Sequence, residues 1–274
     1  SFELAGAPYF GATVGRFAGR INNSVFSLNG KTHHLNKNNN NHSLHGGKIG
    51  FSQKIWKIQE QREEGNPSVT LVYCSPDKEE HYPGDLTVEL TYSISEENEF
   101  IVEYKATATE DTVLNLTHHS YFNLDGHQST ISDQELTVNS EKIVETTDEN
   151  IPTGQFLELQ SHPFDFRKPK KCPSNIDTTF VLENNNEISA SLFNPKNKLK
   201  MSVFTNQPAV HIYVGGSCSN SIKGKENVDY HPLSGICFET QNFPDAPNHD
   251  HFPSSMLKKG AVYYHKTIYK FESF

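Results

Sequence analysis

The chain has 274 residues, a formal net charge of −9 at pH 7 and a hydrophobic content of 34%, to which 18 Phe and 11 Tyr contribute. This length suffices for a substantial core, and the many aromatic rings favour β-structure over disorder. The negative charge argues against a nucleic acid or an anionic membrane as partner. No apolar run approaches the ~18 residues of a membrane-spanning helix.

The first predicted element along the chain is a hairpin in "SVFSLNGKTHHL", where Asn29-Gly30 separates two extended runs. The Asn-rich stretch 36–43 that follows has the composition of a solvated loop. In "DLTVELTYSI" and "FIVEYKATA", apolar residues alternate with polar ones on either side of a polar turn, which predicts an antiparallel hairpin. Four further runs have strand character: "SVTLVYC", "LKMSVFT", "AVHIYVG" and "AVYYHKTIYKF".

No amphipathic pattern long enough for a three-turn helix interrupts these strands. Many short strands separated by Gly, Pro and Asn turns predict an all-β sandwich or barrel. No Pro-, Gly- or Ser-rich linker divides the chain, so we expect residues 1–274 to form a single domain.

The cysteines are widely separated and include no CxxC pair, which predicts neither a zinc site nor a disulfide framework. We expect free, buried thiols in a reducing compartment, and therefore a cytoplasmic protein. The four residues are Cys74, Cys172, Cys218 and Cys237.

Polar groups able to do chemistry lie in short motifs far apart in sequence. A surface position, a turn or a core hydrogen bond would explain each of them individually. In chain order they are Arg16, Arg20, His42, His45, His118, His119, Asp177, Gln207, His211 and Glu239.

Two of these motifs raise a question of strand geometry. Glu239 follows Ile236, Cys237 and Phe238 directly, and a carboxylate in an apolar run either faces outward or needs a partner, a cleft or a raised pKa. His118 and His119 are adjacent in "NLTHHSYFNLDG", so their side chains should point to opposite faces of a strand, and only one can serve a given pocket.

Taken together, five blocks resemble the aldose 1-epimerase (galactose mutarotase) family in order and approximate spacing. They are "PYFGATVGRFAGRI", "SLHGG", "NLTHHSYFNLDG", "PTGQFLELQSHPFDFR" and "GICFETQNFPDAPNH". The resemblance implies a large antiparallel β-sandwich with a sugar cleft on one sheet. Family chains have several dozen more residues before the first block, so this chain resembles a member that lacks its first strands.

The resemblance also implies the reaction, which interconverts the α and β anomers of an aldohexose such as galactose or glucose without metal or organic cofactor. It implies Glu239 as general base, His119 as general acid and His45 as a second active-site histidine. The sugar hydroxyls would be held by Arg20, Asp177 and Gln207. His118 stands where the family usually has Asn, and we expect a structural role for it.

The chemistry requires both a base and an acid, because the anomeric hydroxyl loses a proton while the ring oxygen gains one. With Glu239 ionised and His119 protonated, we expect a broad activity plateau near neutral pH. Gly19 replaces a family Asn that would help to hold the sugar. That loss is worth about 0.5–1.5 kcal/mol for one hydrogen bond.

Three alternatives stay open at this point. A hexose-6-phosphate mutarotase would need Arg or Lys clustered at the cleft. A non-catalytic sugar-binding or regulatory module would not need a matched acid and base. A cupin-like metalloenzyme would use the many histidines, although no carboxylate accompanies a suitably spaced His pair. The expected partner is a small-molecule aldohexose, and the expected protein is a monomer or a dimer.

Overall fold

The computed structural model describes residues 9–183, 187–214 and 222–274, and its regular structure in these ranges is almost entirely β-strand. The strands up to the first long hairpin are β1 (Ala12–Val14), β2 (Arg20–Ile21), β3 (Val25–Leu28), β4 (Lys31–His34), β5 (Ser43–Leu44), β6 (Lys57–Arg62), β7 (Ser68–Ser75), β8 (Leu86–Ile94) and β9 (Glu99–Ala108). Those of the middle are β10 (Thr112–Val113), β11 (Thr117–His119), β12 (Tyr121–Phe122), β13 (Glu135–Val138), β14 (Lys142–Thr146), β15 (Pro152–Glu158), β16 (Lys170–Lys171), β17 (Ile176–Val181) and β18 (Ala190–Asn194).

The remaining strands are β19 (Leu199–Thr205), β20 (Ala209–Val214), β21 (Ile222–Lys223), β22 (Asp229–Tyr230), β23 (Ile236–Gln241), β24 (Met256–Leu257) and β25 (Tyr263–Ser273). Helical structure within the described ranges is limited to three-residue 3₁₀ turns at Asn22–Ser24, Phe51–Gln53, Glu79–His81, Lys225–Asn227 and Ala246–Asn248. No helix among these residues is long and apolar enough to cross a membrane.

Two large antiparallel sheets dominate the architecture. The first has nine strands in the order β16-β13-β18-β19-β25-β9-β8-β7-β6, and the second has six in the order β12-β23-β20-β17-β14-β15. The main hydrophobic cluster combines Val88 and Val102 of the first sheet with Phe180, Ile212 and Phe238 of the second. The sheets therefore pack face to face, and the predicted all-β sandwich is confirmed.

Both predicted hairpins are present. β8 pairs with β9 over its whole length, from Leu86 opposite Ala108 to Ile94 opposite Phe100. β3 pairs with β4 across Asn29-Gly30, whose φ angles of 51° and 75° are those of a type I′ turn. Local alternation and turn chemistry were sufficient to predict these elements.

The cysteines follow the expectation only in part. Cys172 and Cys237 are buried, as predicted, but Cys74 is exposed. Cys74 lies on β7, whose residues from Ser68 to Tyr73 are only half-buried, so strand membership did not ensure burial there. Cys218 lies outside the described residues.

Candidate active site

A cavity of about 330 Å³ opens on the face of the six-stranded sheet that is turned away from the sandwich core. This volume is at the lower end of the range for small-molecule pockets. Five of the six site residues named from the sequence line it: Arg20, His45, His119, Asp177 and Glu239. Because these residues come from five different segments, only the folded chain brings them together.

Glu239 projects from the middle of β23 into this cavity. Its neighbour Phe238 points the other way, into the main hydrophobic core. Because side chains alternate along a strand, Glu239 faces the cleft. Glu239 is 2% exposed, and its Oε1 lies 3.4 Å from Nε2 of His119. Its Oε2 has no hydrogen-bond partner among the described residues. One carboxylate oxygen is therefore available to a ligand.

The two histidines of the "THH" strand point in opposite directions. His119 lines the cavity, whereas His118 packs against Tyr92 and Phe100 of the nine-stranded sheet, with ring centroids 5.5 and 5.9 Å away. Burial, and secondarily the charge of His119, lowers the pKa of His118 to about 4. His118 is therefore a neutral packing residue at neutral pH, as its position on the strand suggested.

His45 reaches the cavity from the turn that follows β5. Its Nδ1 accepts a hydrogen bond from the backbone N–H of Gly19 at 3.2 Å, so the other ring nitrogen of the neutral imidazole carries the proton. Burial, and then the charges of His119 and Arg20, lower the pKa of His45 well below its usual value. His45 is thus a neutral hydrogen-bond donor towards the cavity.

The glycines after His45 allow this turn to pack against the chain. At Gly46, φ is +88° and a Cβ atom would lie 1.9 Å from the carbonyl oxygen of Gly15. No residue with a side chain fits there without displacing the turn. The close approach of the turn to the backbone at Gly15 therefore requires glycine at position 46.

Arg20 and Asp177 form the polar wall opposite Glu239. The pairing of β2 with β5 sets Arg20 beside Leu44, next to His45, and its Nε donates to Oδ1 of Asn39 at 3.0 Å. One terminal guanidinium nitrogen of Arg20 lies 4.0 Å from Oδ2 of Asp177. The same Oδ2 accepts a 3.0 Å hydrogen bond from Asn150.

Gln207 does not line this cavity. Its Nε2 bonds to Asn206 and its side chain borders a separate groove beside Pro208 and Asn242. The residue precedes β20, and four residues of strand at about 3.3 Å each separate it from His211 by ~13 Å. His211 lines the cavity instead. Of the residues in "QPAVH", the structure therefore places His211, and not Gln207, beside the other residues named from the sequence.

Three further residues contribute to the site without having been named from the sequence. Tyr9 stands over His45 and His119, with ring centroids 4.7 and 5.7 Å away. Asn39 and Asn150 hold Arg20 and Asp177 as described above. The Asn-rich composition around Asn39 indicated a solvated loop, and a side chain that bonds across the fold gives no local signal.

His45, His119 and Glu239 could in principle hold a metal ion, since their ligand atoms lie within 4.8 Å of one another. A metal-binding histidine uses one ring nitrogen as ligand and donates from the other to an acceptor. Nδ1 of His45 instead faces a donor, the N–H of Gly19. The hydrogen-bonding pattern therefore suits proton transfer and hydrogen bonding better than metal ligation.

Fold and cavity together define a class of protein, an antiparallel β-sandwich enzyme whose cleft sets a carboxylate against an imidazole. Comparison with known sequences gives the family. The family described as Aldose 1-epimerase matches residues 2–270. Galactose mutarotases of Bos taurus and Homo sapiens are each 39% identical over 275 residues, covering 96% of this chain and 79% of the relative. The chain belongs to the aldose 1-epimerase family.

Solved structures agree with this assignment. An aldose epimerase homologue from C. elegans superposes with a TM-score of 0.90 at 29% identity, covering all of this chain and 86% of the other. A galactose 1-epimerase from Lactobacillus acidophilus gives 0.86 at 26% identity, covering 97% and 80%. The fold of this chain is therefore that of galactose mutarotase-like proteins.

Proposed function

We propose that Glu239 and His119 are the general base and general acid with which this chain interconverts the α and β anomers of an aldohexose. Glu239 removes the proton of the anomeric hydroxyl while His119 protonates the ring oxygen, and the bond between that oxygen and C1 breaks. Half a turn about C1–C2, followed by the reverse proton transfers, closes the ring to the other anomer. Acid and base are both regenerated, so we propose that no cofactor or metal is needed.

The observation that supports this most strongly is the pairing of a buried carboxylate with an imidazole in one cavity. Oε1 of Glu239 lies 3.4 Å from Nε2 of His119, and Oε2 is without a partner among the described residues. A module that only bound sugar would not need an imidazole beside this carboxylate, whose unpartnered buried oxygen costs stability. Each positioned acid or base group contributes roughly 10²–10⁴ in rate.

We propose a neutral sugar as the substrate. Arg20 is the single Lys or Arg among the described residues that line the cavity, and Asp177 and Asn39 already engage it. A phosphate group usually requires several cationic donors. Tyr9, Tyr121 and Tyr213 offer aromatic surface to the apolar face of a pyranose ring.

Polarimetry of freshly dissolved α-D-galactose and α-D-glucose, with glucose 6-phosphate as the charged counterpart, tests this function. We expect accelerated approach to anomeric equilibrium with at least one neutral sugar, across a plateau near neutral pH. Acceleration with the phosphate alone would favour the hexose-6-phosphate reaction. Binding of sugar by calorimetry without acceleration would favour the non-catalytic role, and loss of activity above pH 5 would contradict the acid–base assignment.

We also propose the number of domains, the cellular location and the oligomeric state of the protein. The shared core of the two sheets supports a single domain, and the buried thiol of Cys172 and the exposed thiol of Cys74 suit the reducing cytoplasm. Among the described residues, one chain supplies acid, base and polar wall of the cavity, which supports function as a monomer over the dimer that the sequence left open. Light scattering at assay concentration distinguishes monomer from dimer.

A further inference from the structure

His211 occupies the centre of the cavity floor, a place that the proposed acid–base chemistry does not use. On β20 it lies opposite Glu239 of β23 and opposite Thr179 of β17. The three side chains form a row across neighbouring strands, on the face turned towards the cavity. His211 therefore lies between the base of the reaction and the wall formed by Asp177.

Both ring nitrogens of His211 bond to the protein. Nε2 lies 2.8 Å from Oδ1 of Asp177, and Nδ1 lies 2.8 Å from the hydroxyl of Thr179. Since neither nitrogen is left for a ligand, the ring acts through its neighbours. Thr179 fixes its rotation, and the ring in turn holds one oxygen of Asp177.

Asp177 is then held from both sides. His211 bonds Oδ1, while Asn150 donates to Oδ2 at 3.0 Å and Arg20 lies 4.0 Å from it. A carboxylate oxygen has about two lone-pair directions, so each oxygen keeps one for a ligand hydroxyl. Without His211 the carboxylate could rotate about its last bond and would lose this orientation.

We infer that His211 is a positioning residue that orients the carboxylate of Asp177 to accept a sugar hydroxyl. The inference rests on the proposed function in taking the ligand to be a sugar. His211 contributes to sugar binding and not to proton transfer, because both of its ring nitrogens are engaged by Asp177 and Thr179. The proposed base and acid are Glu239 on β23 and His119 on β11.

The charges around the ring support this arrangement. Burial lowers the pKa of His211, but the hydrogen bond and charge of Asp177, with Glu239, outweigh burial and raise it above its usual value; Arg20 opposes them weakly. Burial would raise the pKa of Asp177, yet His211 and Arg20 lower it to about 2. Asp177 therefore remains ionised, and able to accept hydrogen bonds, throughout the neutral range.

Kinetics of two variants test the inference. His211→Phe removes both hydrogen bonds, and we expect KM for the sugar to rise about 10-fold while kcat stays within about 3-fold, since charge-assisted bonds orient binding groups. His211→Gln keeps one donor towards Asp177, and should recover part of the loss. A KM for His211→Phe within twofold of the wild type, or a fall in kcat that exceeds the rise in KM, would overturn the inference.

NMR of histidine ¹⁵N nuclei tests the same contact without turnover. In the wild type, we expect His211 to titrate above pH 6.5, and in Asp177→Asn the midpoint should fall, because the charge of Asp177 is gone while Glu239, Arg20 and His45 remain around the ring. An unchanged midpoint in this variant overturns the inference whatever the activity. If the midpoint of His211 shifts in Asp177→Asn but the wild-type protein is inactive on every sugar, the contact between His211 and Asp177 is supported and the proposed function is refuted.

Discussion

Replacing Glu239 by Gln removes the proposed base while preserving the shape of the side chain. We expect this substitution to lower activity and to raise the stability of the folded protein. Oε2 of Glu239 is buried without a hydrogen-bond partner among the described residues, whereas Oε1 lies 3.4 Å from Nε2 of His119. A buried ionised group satisfied on one side only is a cost to the folded state.

The expected loss of activity follows from the contribution of one positioned base, roughly 10²–10⁴ in kcat, or about 3–5 kcal/mol in the barrier. For stability, the neutral amide avoids the desolvation of a half-satisfied charge, and we expect a gain of about 1 kcal/mol. In a chain of this size, that corresponds to a rise in Tm of about 2–4 °C.

The assay combines polarimetry of α-D-galactose with thermal unfolding by circular dichroism, both at pH 8, on wild type and Glu239→Gln. Glu158→Gln on exposed β15 is a matched control, and should change neither quantity noticeably. A variant that keeps more than about a tenth of the wild-type kcat would show that Glu239 is not the base. A variant that loses activity together with several degrees of Tm would instead show that Glu239 supports the fold.

Four other tests probe the site and the residues that support it. His119→Gln should lower kcat by roughly 10²-fold or more, whereas His118→Gln should keep most of it, because only His119 faces the cavity. Gly46→Ala should destabilise the protein by about 1–3 kcal/mol more than Gly65→Ala in urea denaturation, since both have positive φ but only Gly46 meets a neighbouring carbonyl. Prolonged dialysis against EDTA should leave the mutarotation rate unchanged. Stability should fall as the pH drops from 6.5 towards 4, because burial lowers the pKa of His118 to about 4 and that of His265 to about 3, so the unfolded chain binds protons first.

Each of these predictions would be contradicted by a specific result. Equal losses of kcat in the two histidine variants would mean that strand alternation does not separate their roles. Equal destabilisation of the two glycine variants would remove the steric argument at Gly46. Activity that disappears with EDTA and returns with zinc would restore a metal site. A pH dependence of stability unchanged by His118→Phe would show that this histidine titrates alike in both states.

The strands predicted from the sequence were those whose signal is local. The β8–β9 hairpin has five alternating apolar residues on each side, and the β3–β4 hairpin has a turn dipeptide of the right type. β14 and β15 were missed, because Lys142–Thr146 and Pro152–Glu158 alternate poorly and β15 is largely exposed. Their pairing depends on a neighbouring strand and is not visible in either segment alone.

The site residues likewise include some that the sequence could identify and others that it could not. Glu239 and His119 stand in recognisable blocks, and alternation placed the two histidines on opposite faces correctly. Alternation could not choose between Gln207 and His211, because residues four apart share a face of a strand. Only the register of β20 against β23, which sets His211 opposite Glu239, makes that choice. The role of Asn150 could not be predicted from the sequence for a similar reason, since its hydrogen-bond partner Asp177 lies 27 residues away.

The strict alternation of β23 has a consequence for how this protein can change during evolution. Deleting or inserting a single residue between Ile236 and Gln241 would exchange the two faces of the strand beyond that point. Phe238 would then be driven towards the cavity and a carboxylate into the core, so fold and chemistry would fail together. The turn between β8 and β9, at residues 95–98, carries no such constraint and can lengthen freely. Across the family, length variation should therefore concentrate in such turns, while β23 diverges by substitution alone.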